Sequence, residues 1–105
     1  MPSEVSVDEL AIAIAEGSWV LDVREPDEFA AGHVPLAHHI PLGTIGENLA
    51  AIPQDELVYV VCKAGGRSMR AATALEEQGY QVVSVAGGTD EWAAAGHELS
   101  FDASL

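Results

Sequence analysis

Apolar positions follow two rhythms along the chain. Val58-Tyr59-Val60-Val61 and the segment from Gln81 to Val85 are short runs rich in β-branched residues, the pattern of buried strands. Trp19-Val20-Leu21 is a third such run, and Glu4-Val5 and His39-Ile40 read as shorter strands. Between them the apolar residues recur at helical spacing. Val7, Leu10 and Ile14 form one face of a helix that Ser6 caps, with Glu9 completing a capping box and Gly17 ending it. Pro26 opens a brief helix carrying Glu28 and Phe29. Thr44 to Ile52 reads as a helix broken by Gly46 and ended by Pro53. Ser68 reads as the cap of a helix whose face runs through Met69, Ala72 and Leu75 and which stops at Gly79. Thr89 reads as the cap of a last helix carrying Trp92, and the tail after Gly96 as peripheral. Short strands alternating with helices predict right-handed crossovers and a parallel α/β sheet.

Length and composition narrow this further. At 105 residues and 49% apolar content, the chain has material for one domain, spanning 1–105, around one core. No apolar run reaches the roughly 18 residues of a membrane span. The N-terminus lacks the basic start and apolar core of a signal peptide, so a cytoplasmic protein is expected. Against 17 carboxylates stand only 4 Lys and Arg, for a net charge of −13. The plain reading is a well-solvated acidic surface. Salt adaptation or a basic partner would be alternatives. Nucleic acid is disfavoured, because phosphate contacts need distributed positive charge. A single cysteine makes no internal disulfide. The histidines lack ligand spacing, and adjacent His38 and His39 would face opposite ways on a strand. Neither a metal nor another cofactor is expected.

The candidate chemistry sits where the strand Val58–Val61 ends. Cys62-Lys63-Ala64-Gly65-Gly66-Arg67-Ser68 holds the only cysteine, two adjacent glycines and two of the four basic residues, with Arg70 just beyond. A loop from the carboxyl end of a strand into a helix is where open α/β sheets bind ligands. Gly65 and Gly66 let the backbone curl with its N–H groups inward, and the helix start adds unpaired donors and partial positive charge. A thiol there should ionise below its free value of roughly 8.5. Lys63 and Arg67 would add full charges, Arg70 being the weaker candidate of the three. The competing reading of Cys62, a small buried apolar residue, explains neither the glycines nor the flanking cations.

Three segments resemble the rhodanese-like sulfurtransferases, in that family's order and over nearly the whole chain. The first is Leu21-Asp22-Val23-Arg24-Glu25-Pro26-x-Glu28-Phe29-x-x-Gly32-His33-Val34-Pro35 with Ile40-Pro41 downstream. The second is Cys62-x-x-Gly65-x-Arg67-Ser68 followed by Ala71-Ala72-x-x-Leu75 and Gly79-Tyr80. The third is Val85-x-Gly87-Gly88-x-x-x-Trp92. The resemblance implies a central five-stranded parallel sheet flanked by helices on both faces. Two positions depart from the family pattern: Leu36-Ala37 replaces a usual Gly-Ala pair, and His39 a usual Asn.

The resemblance also implies an activity. The Cys62 thiolate would take the outer sulfur of thiosulfate or a similar small sulfur anion, with residues 63 to 68 holding the donor and the persulfide. Cyanide, a thiol or a protein acceptor would then receive the sulfur. The alternative is a persulfide carrier or binding module with little turnover of free thiosulfate. A phosphatase reading fits less well: Arg67 follows Cys62 by five positions, one short of the related Cys-x5-Arg loop, and Val61 rather than His precedes the cysteine. Arg24, Asp22 and Glu28 read as a buried ion-paired brace, His33 as a hydrogen-bonded structural histidine, and Trp92 as packing.

Overall fold

A computed structural model describes residues 1–101. Five strands, β1 (Glu4–Val5), β2 (Trp19–Asp22), β3 (His38–His39), β4 (Val58–Val61) and β5 (Val82–Val85), form one sheet in the order β1-β5-β4-β2-β3. All four strand pairs are parallel, with β4 central between Trp19–Asp22 on one side and Val82–Ser84 on the other. The helices are α1 (Val7–Ala15), α2 (Pro26–Ala30), α3 (Gly66–Glu77) and α4 (Gly88–Ala94), with two 3₁₀ turns at Leu42–Glu47 and Leu49–Ala51.

Strand alternation sends side chains to two cores. Val58, Val60 and Cys62 join Ala71, Ala72 and Leu75 of α3 and Ile45 of the first 3₁₀ turn on one face. Val61 joins Val7 and Leu10 of α1, Phe29 of α2 and Trp92 of α4 on the other. The parallel five-stranded sheet with helices on both faces is thus present. Trp92 is buried, its indole N–H donating to Glu98 O at 2.8 Å. His33 is buried against Phe29 and its Nδ1–H donates to Phe29 O at 2.9 Å. Both residues serve the fold as expected.

Several local expectations are corrected. The Ser6–Glu9 capping box forms as read. The two helices nearest the cysteine, however, are capped by glycines: Gly65 (φ +114°) precedes α3 and Gly87 (φ +79°) precedes α4, so neither Ser68 nor Thr89 is a cap. Each chain reversal needs a left-handed residue right before the helix, which glycine adopts without penalty, and the two hydroxyls are spent elsewhere. The helix expected over Thr44–Ile52 is two 3₁₀ turns. Thr44 Oγ1 donates to Pro41 O, Asn48 Nδ2 donates to Thr44 O, and only Ile45 is fully buried in the first turn. Local side-chain bonds here displace the α-helical ladder. β3 is His38–His39 rather than His39–Ile40, although the Ile40 N–H still donates to Asp22 O at 3.0 Å. The tail is not peripheral as far as it is described. His33 and Ser100 exchange backbone hydrogen bonds of 2.8 and 2.7 Å, and Leu99 packs on the second core. Its last four residues lie outside the described part of the chain.

Leu36 stands at φ +68°, the only non-glycine residue with positive φ among those described, and is 59% exposed. This is the position where the family pattern suggests glycine. A Cβ in left-handed backbone costs roughly 1–2 kcal/mol, partly offset by the greater unfolded-state freedom of glycine. Leu36→Gly is expected to raise stability by about 0.5–1 kcal/mol, read as a higher urea midpoint at unchanged slope.

Candidate functional site

β4 is central and ends at Val61, so Cys62 emerges at the middle of the sheet's carboxyl edge. The residue is buried, with 1% of its surface exposed. The Gly65 N–H donates to Cys62 Sγ at 3.1 Å, and Ser68 Oγ lies 3.4 Å from the same sulfur. Burial pushes the thiol up. The hydrogen bond to the Ser68 side chain and the backbone N–H groups of Ser68, Gly65 and Ala64 pull it down, and the balance falls below the ordinary thiol value.

The inward N–H groups are explained by what holds the carbonyls. The Cys62 carbonyl accepts from the Thr89 N–H at 2.8 Å and from Thr89 Oγ1 at 3.0 Å, and the Lys63 carbonyl accepts from the Asp90 N–H at 3.0 Å. The first turn of α4 thus draws both carbonyls outward. Gly88 makes this approach possible, since a Cβ there would lie 2.5 Å from Cys62 O and 2.6 Å from Lys63 O.

The cations are arranged differently from the expectation. Arg67 is held bidentately by Glu28, Nη1 to Oε1 at 2.7 Å and Nη2 to Oε2 at 2.9 Å. Lys63 Nζ pairs with Asp90 Oδ2 at 2.8 Å, both groups being more than half exposed. Neither is a bare charge at the loop, although the exposed Lys63–Asp90 pair can exchange readily. Arg70 is exposed and makes no ion pair among the described residues; it lines an open groove with Gly66, Met69 and Thr73.

Glu28 also differs from expectation, because its carboxylate serves Arg67. Arg24 reaches only the Glu28 backbone carbonyl, at 3.3 Å. The buried pair itself is present: Arg24 Nε and Nη2 grip Asp22 at 3.0, 3.1 and 2.9 Å, and Nη2 also donates to Gly32 O at 2.9 Å. This brace ties the end of β2 to α2 and the Gly32 turn. His39, where the family pattern has Asn, donates Nε2–H to Arg24 O at 2.7 Å.

The Arg67 guanidinium holds the Glu28 carboxyl down at about 2, against its ordinary 4.5, and Glu28 in turn raises Arg67. A depressed carboxylate contributes stability that is present above its unfolded value and lost as pH falls through its folded value. The stability gap between wild type and Glu28→Gln is therefore expected to be full above about pH 4.5 and to close as pH falls toward about 2. Denaturant midpoints at a series of pH values check it. A gap independent of pH would mean that charge is not its source.

Sequence reasoning missed Ser84, Thr89 and Gly88. Ser84 is the one polar side chain in β5 and is fully buried, 2.8 Å from Ser68 Oγ. Its signal was a serine interrupting an apolar run. Thr89 and Gly88 stand in the third family-like segment, but nothing local showed that they meet the backbone of Cys62 and Lys63. Among the described residues no cluster of three or more His, Cys, Asp or Glu could hold a metal, and no helix is long and apolar enough to cross a membrane.

Comparison with known proteins agrees with this geometry. The rhodanese-like domain model matches residues 6–95. A protein of Allochromatium vinosum named "Sulfurtransferase" is 35% identical over 99 residues, covering 91% of this chain and 92% of that one. The provisionally named sulfur carrier protein YrkF of Bacillus subtilis is 35% identical over 74 residues, which is 70% of this chain but 40% of that longer one. The crystal structure of a rhodanese-related protein from Thermoplasma volcanium superposes with a TM-score of 0.90 at 29% identity, covering 95% of this chain and 99% of that one. With its sheet order, its cysteine loop and a family match over most of its length, the chain belongs to the rhodanese-like domain family.

Proposed function

We propose that the protein is a sulfurtransferase that carries sulfane sulfur on Cys62. The observation that carries this reading is the cysteine sulfur at the end of β4, approached by Gly65 N–H and Ser68 Oγ inside a loop whose carbonyls are turned away. Such a pocket favours an anion on sulfur, first as the thiolate and then as the persulfide. The Cys62 thiolate attacks the outer sulfur of thiosulfate. A new S–S bond forms, the donor's own S–S bond breaks, and sulfite departs with its electron pair. An acceptor such as cyanide or a thiolate then attacks the terminal sulfur, and the electrons of the Cys62 S–S bond return to Cys62. The cycle is covalent and ping-pong. Lys63, Ala64, Gly65, Gly66, Arg67 and Ser68 form the donor and persulfide cradle. Arg70, exposed and without an ion pair among the described residues, is the weaker candidate for the donor's sulfonate, behind Lys63 and Arg67. No metal or organic cofactor enters either step.

A second reading has its own support. Arg67 and Lys63 are each engaged by a carboxylate, which weakens their hold on a free dianion. A persulfide carrier loaded by another protein would not need that hold.

Intact-mass spectrometry after thiosulfate alone, followed by thiocyanate assay with cyanide, tests both. Protein alkylated at its single cysteine is the control. A one-sulfur adduct mapped to Cys62 together with thiocyanate turnover supports the enzyme. An adduct without turnover supports the carrier. Reduced, folded protein that gives neither overturns thiosulfate as the donor.

A further inference from the structure

The buried hydroxyl of Ser84 has a single side-chain partner among the described residues, Ser68 Oγ at 2.8 Å. Both serines are fully buried. Each hydroxyl has one proton to place. If Ser68 donated to Ser84, the Ser84 proton would be stranded without an acceptor in an apolar interior, a costly arrangement. Ser84 therefore donates and Ser68 accepts. The Ser68 proton is left with two acceptors: Gly65 O at 3.1 Å and Cys62 Sγ at 3.4 Å. Gly65 O also receives the Met69 N–H at 3.2 Å, so it is not orphaned when the hydroxyl turns away.

We propose that Ser84 is a positioning residue for the sulfur chemistry: it fixes the Ser68 hydroxyl so that the Ser68 proton turns onto Cys62 Sγ when that sulfur is anionic. This rests on the reading of Cys62 as the reacting group. In the thiol state Cys62 S–H donates to the second lone pair of Ser68, and the Ser68 proton points to Gly65 O. When Cys62 loses its proton to solvent, the Ser68 O–H rotates from Gly65 O to Sγ. The Ser84 O–H···O bond is unchanged in both states, so neither serine gains or loses a proton. Donation from Ser84 also polarises the Ser68 O–H and strengthens what it gives to sulfur. Ser84 acts through Ser68 and touches no reacting atom itself.

The test is the ultraviolet absorbance of the thiolate titrated against pH, which needs no sulfur donor. It therefore stays readable whether or not thiosulfate is turned over. Ser84→Ala is expected to move the Cys62 titration upward by about half a pH unit. Ser68→Ala is expected to move it further. Adding Ser84→Ala to Ser68→Ala should then change nothing more, because the relay is already cut. Ser84→Thr and Ser84→Val are matched in shape and differ in the hydroxyl; the Thr variant should titrate like wild type and the Val variant like Ser84→Ala. This pair decides the matter even if the Ala variant folds poorly. An unchanged titration in Ser84→Ala, an equal shift in the Ser68→Ala background, or identical curves for Thr and Val would each overturn the proposal.

Discussion

Gly88→Ala is expected to cut sulfur transfer about 100-fold and to lower stability by about 2–5 kcal/mol. Two effects coincide at this residue. Its φ of +57° is left-handed, and an added Cβ would fall 2.5–2.7 Å from the backbone of Cys62 and Lys63. These are backbone atoms, which cannot rotate out of the way as a side-chain end can. Relief requires α4 and the cysteine loop to separate. Separation lengthens the bonds from Thr89 and Asp90 that draw the two carbonyls outward, and the N–H groups aimed at Sγ lose their alignment. Gly96→Ala is the control, because Gly96 has φ +87° but an added Cβ would meet nothing within 4 Å. It should show the backbone penalty alone, with transfer unchanged. Thiocyanate formation and urea denaturation of both variants separate the loop effect from the general one. Equal activity in the two would remove the argument that α4 shapes the loop.

Arg24→Ala is expected to cost about 3–5 kcal/mol, because removing one partner leaves an uncompensated buried charge. Asp22 is fully buried at the end of β2, and Arg24 is the cation paired with it. The loss would be a large share of a typical domain stability of about 5–15 kcal/mol. Arg24→Lys keeps the charge but cannot reproduce the forked contacts to Asp22, Glu28 O and Gly32 O, so it should recover only part. Replacing both partners, as Asp22→Leu with Arg24→Met, should cost less than Arg24→Ala alone, since no charge is left stranded. Urea midpoints for the three variants give the comparison. A double variant worse than the single would mean that the brace contributes through its hydrogen bonds to the loops more than through charge balance.

The sheet was legible because β2, β4 and β5 are compact apolar runs with helical segments between them, and because the Ser6 capping box is a local signal. The cysteine at a strand's end, with paired glycines after it, was equally plain. What the chain alone did not reveal are contacts between distant segments. Ser68 and Thr89 look like caps in sequence, but Ser68 also meets Ser84 and Cys62 Sγ, and Thr89 meets the Cys62 carbonyl, contacts that reach outside their own helices. Arg67 looks free until α2 places Glu28 beside it, 39 positions away. The segment after Pro41 misled for a different reason: its helical spacing is real, but its polar side chains bond to nearby carbonyls and tighten it into 3₁₀ turns.

The sheet order has a consequence for how the molecule assembles. β1 borders β5, so Glu4 finds its partner Ser84 only when nearly the whole chain between them has been synthesised and threaded into place. Every strand pairing is parallel, so no two neighbours can zip through a tight hairpin. Such non-local closure delays folding toward milliseconds or longer, against microseconds for helical bundles. During translation, β2 and β4 can pair first, while β1 waits for β5 to close the edge.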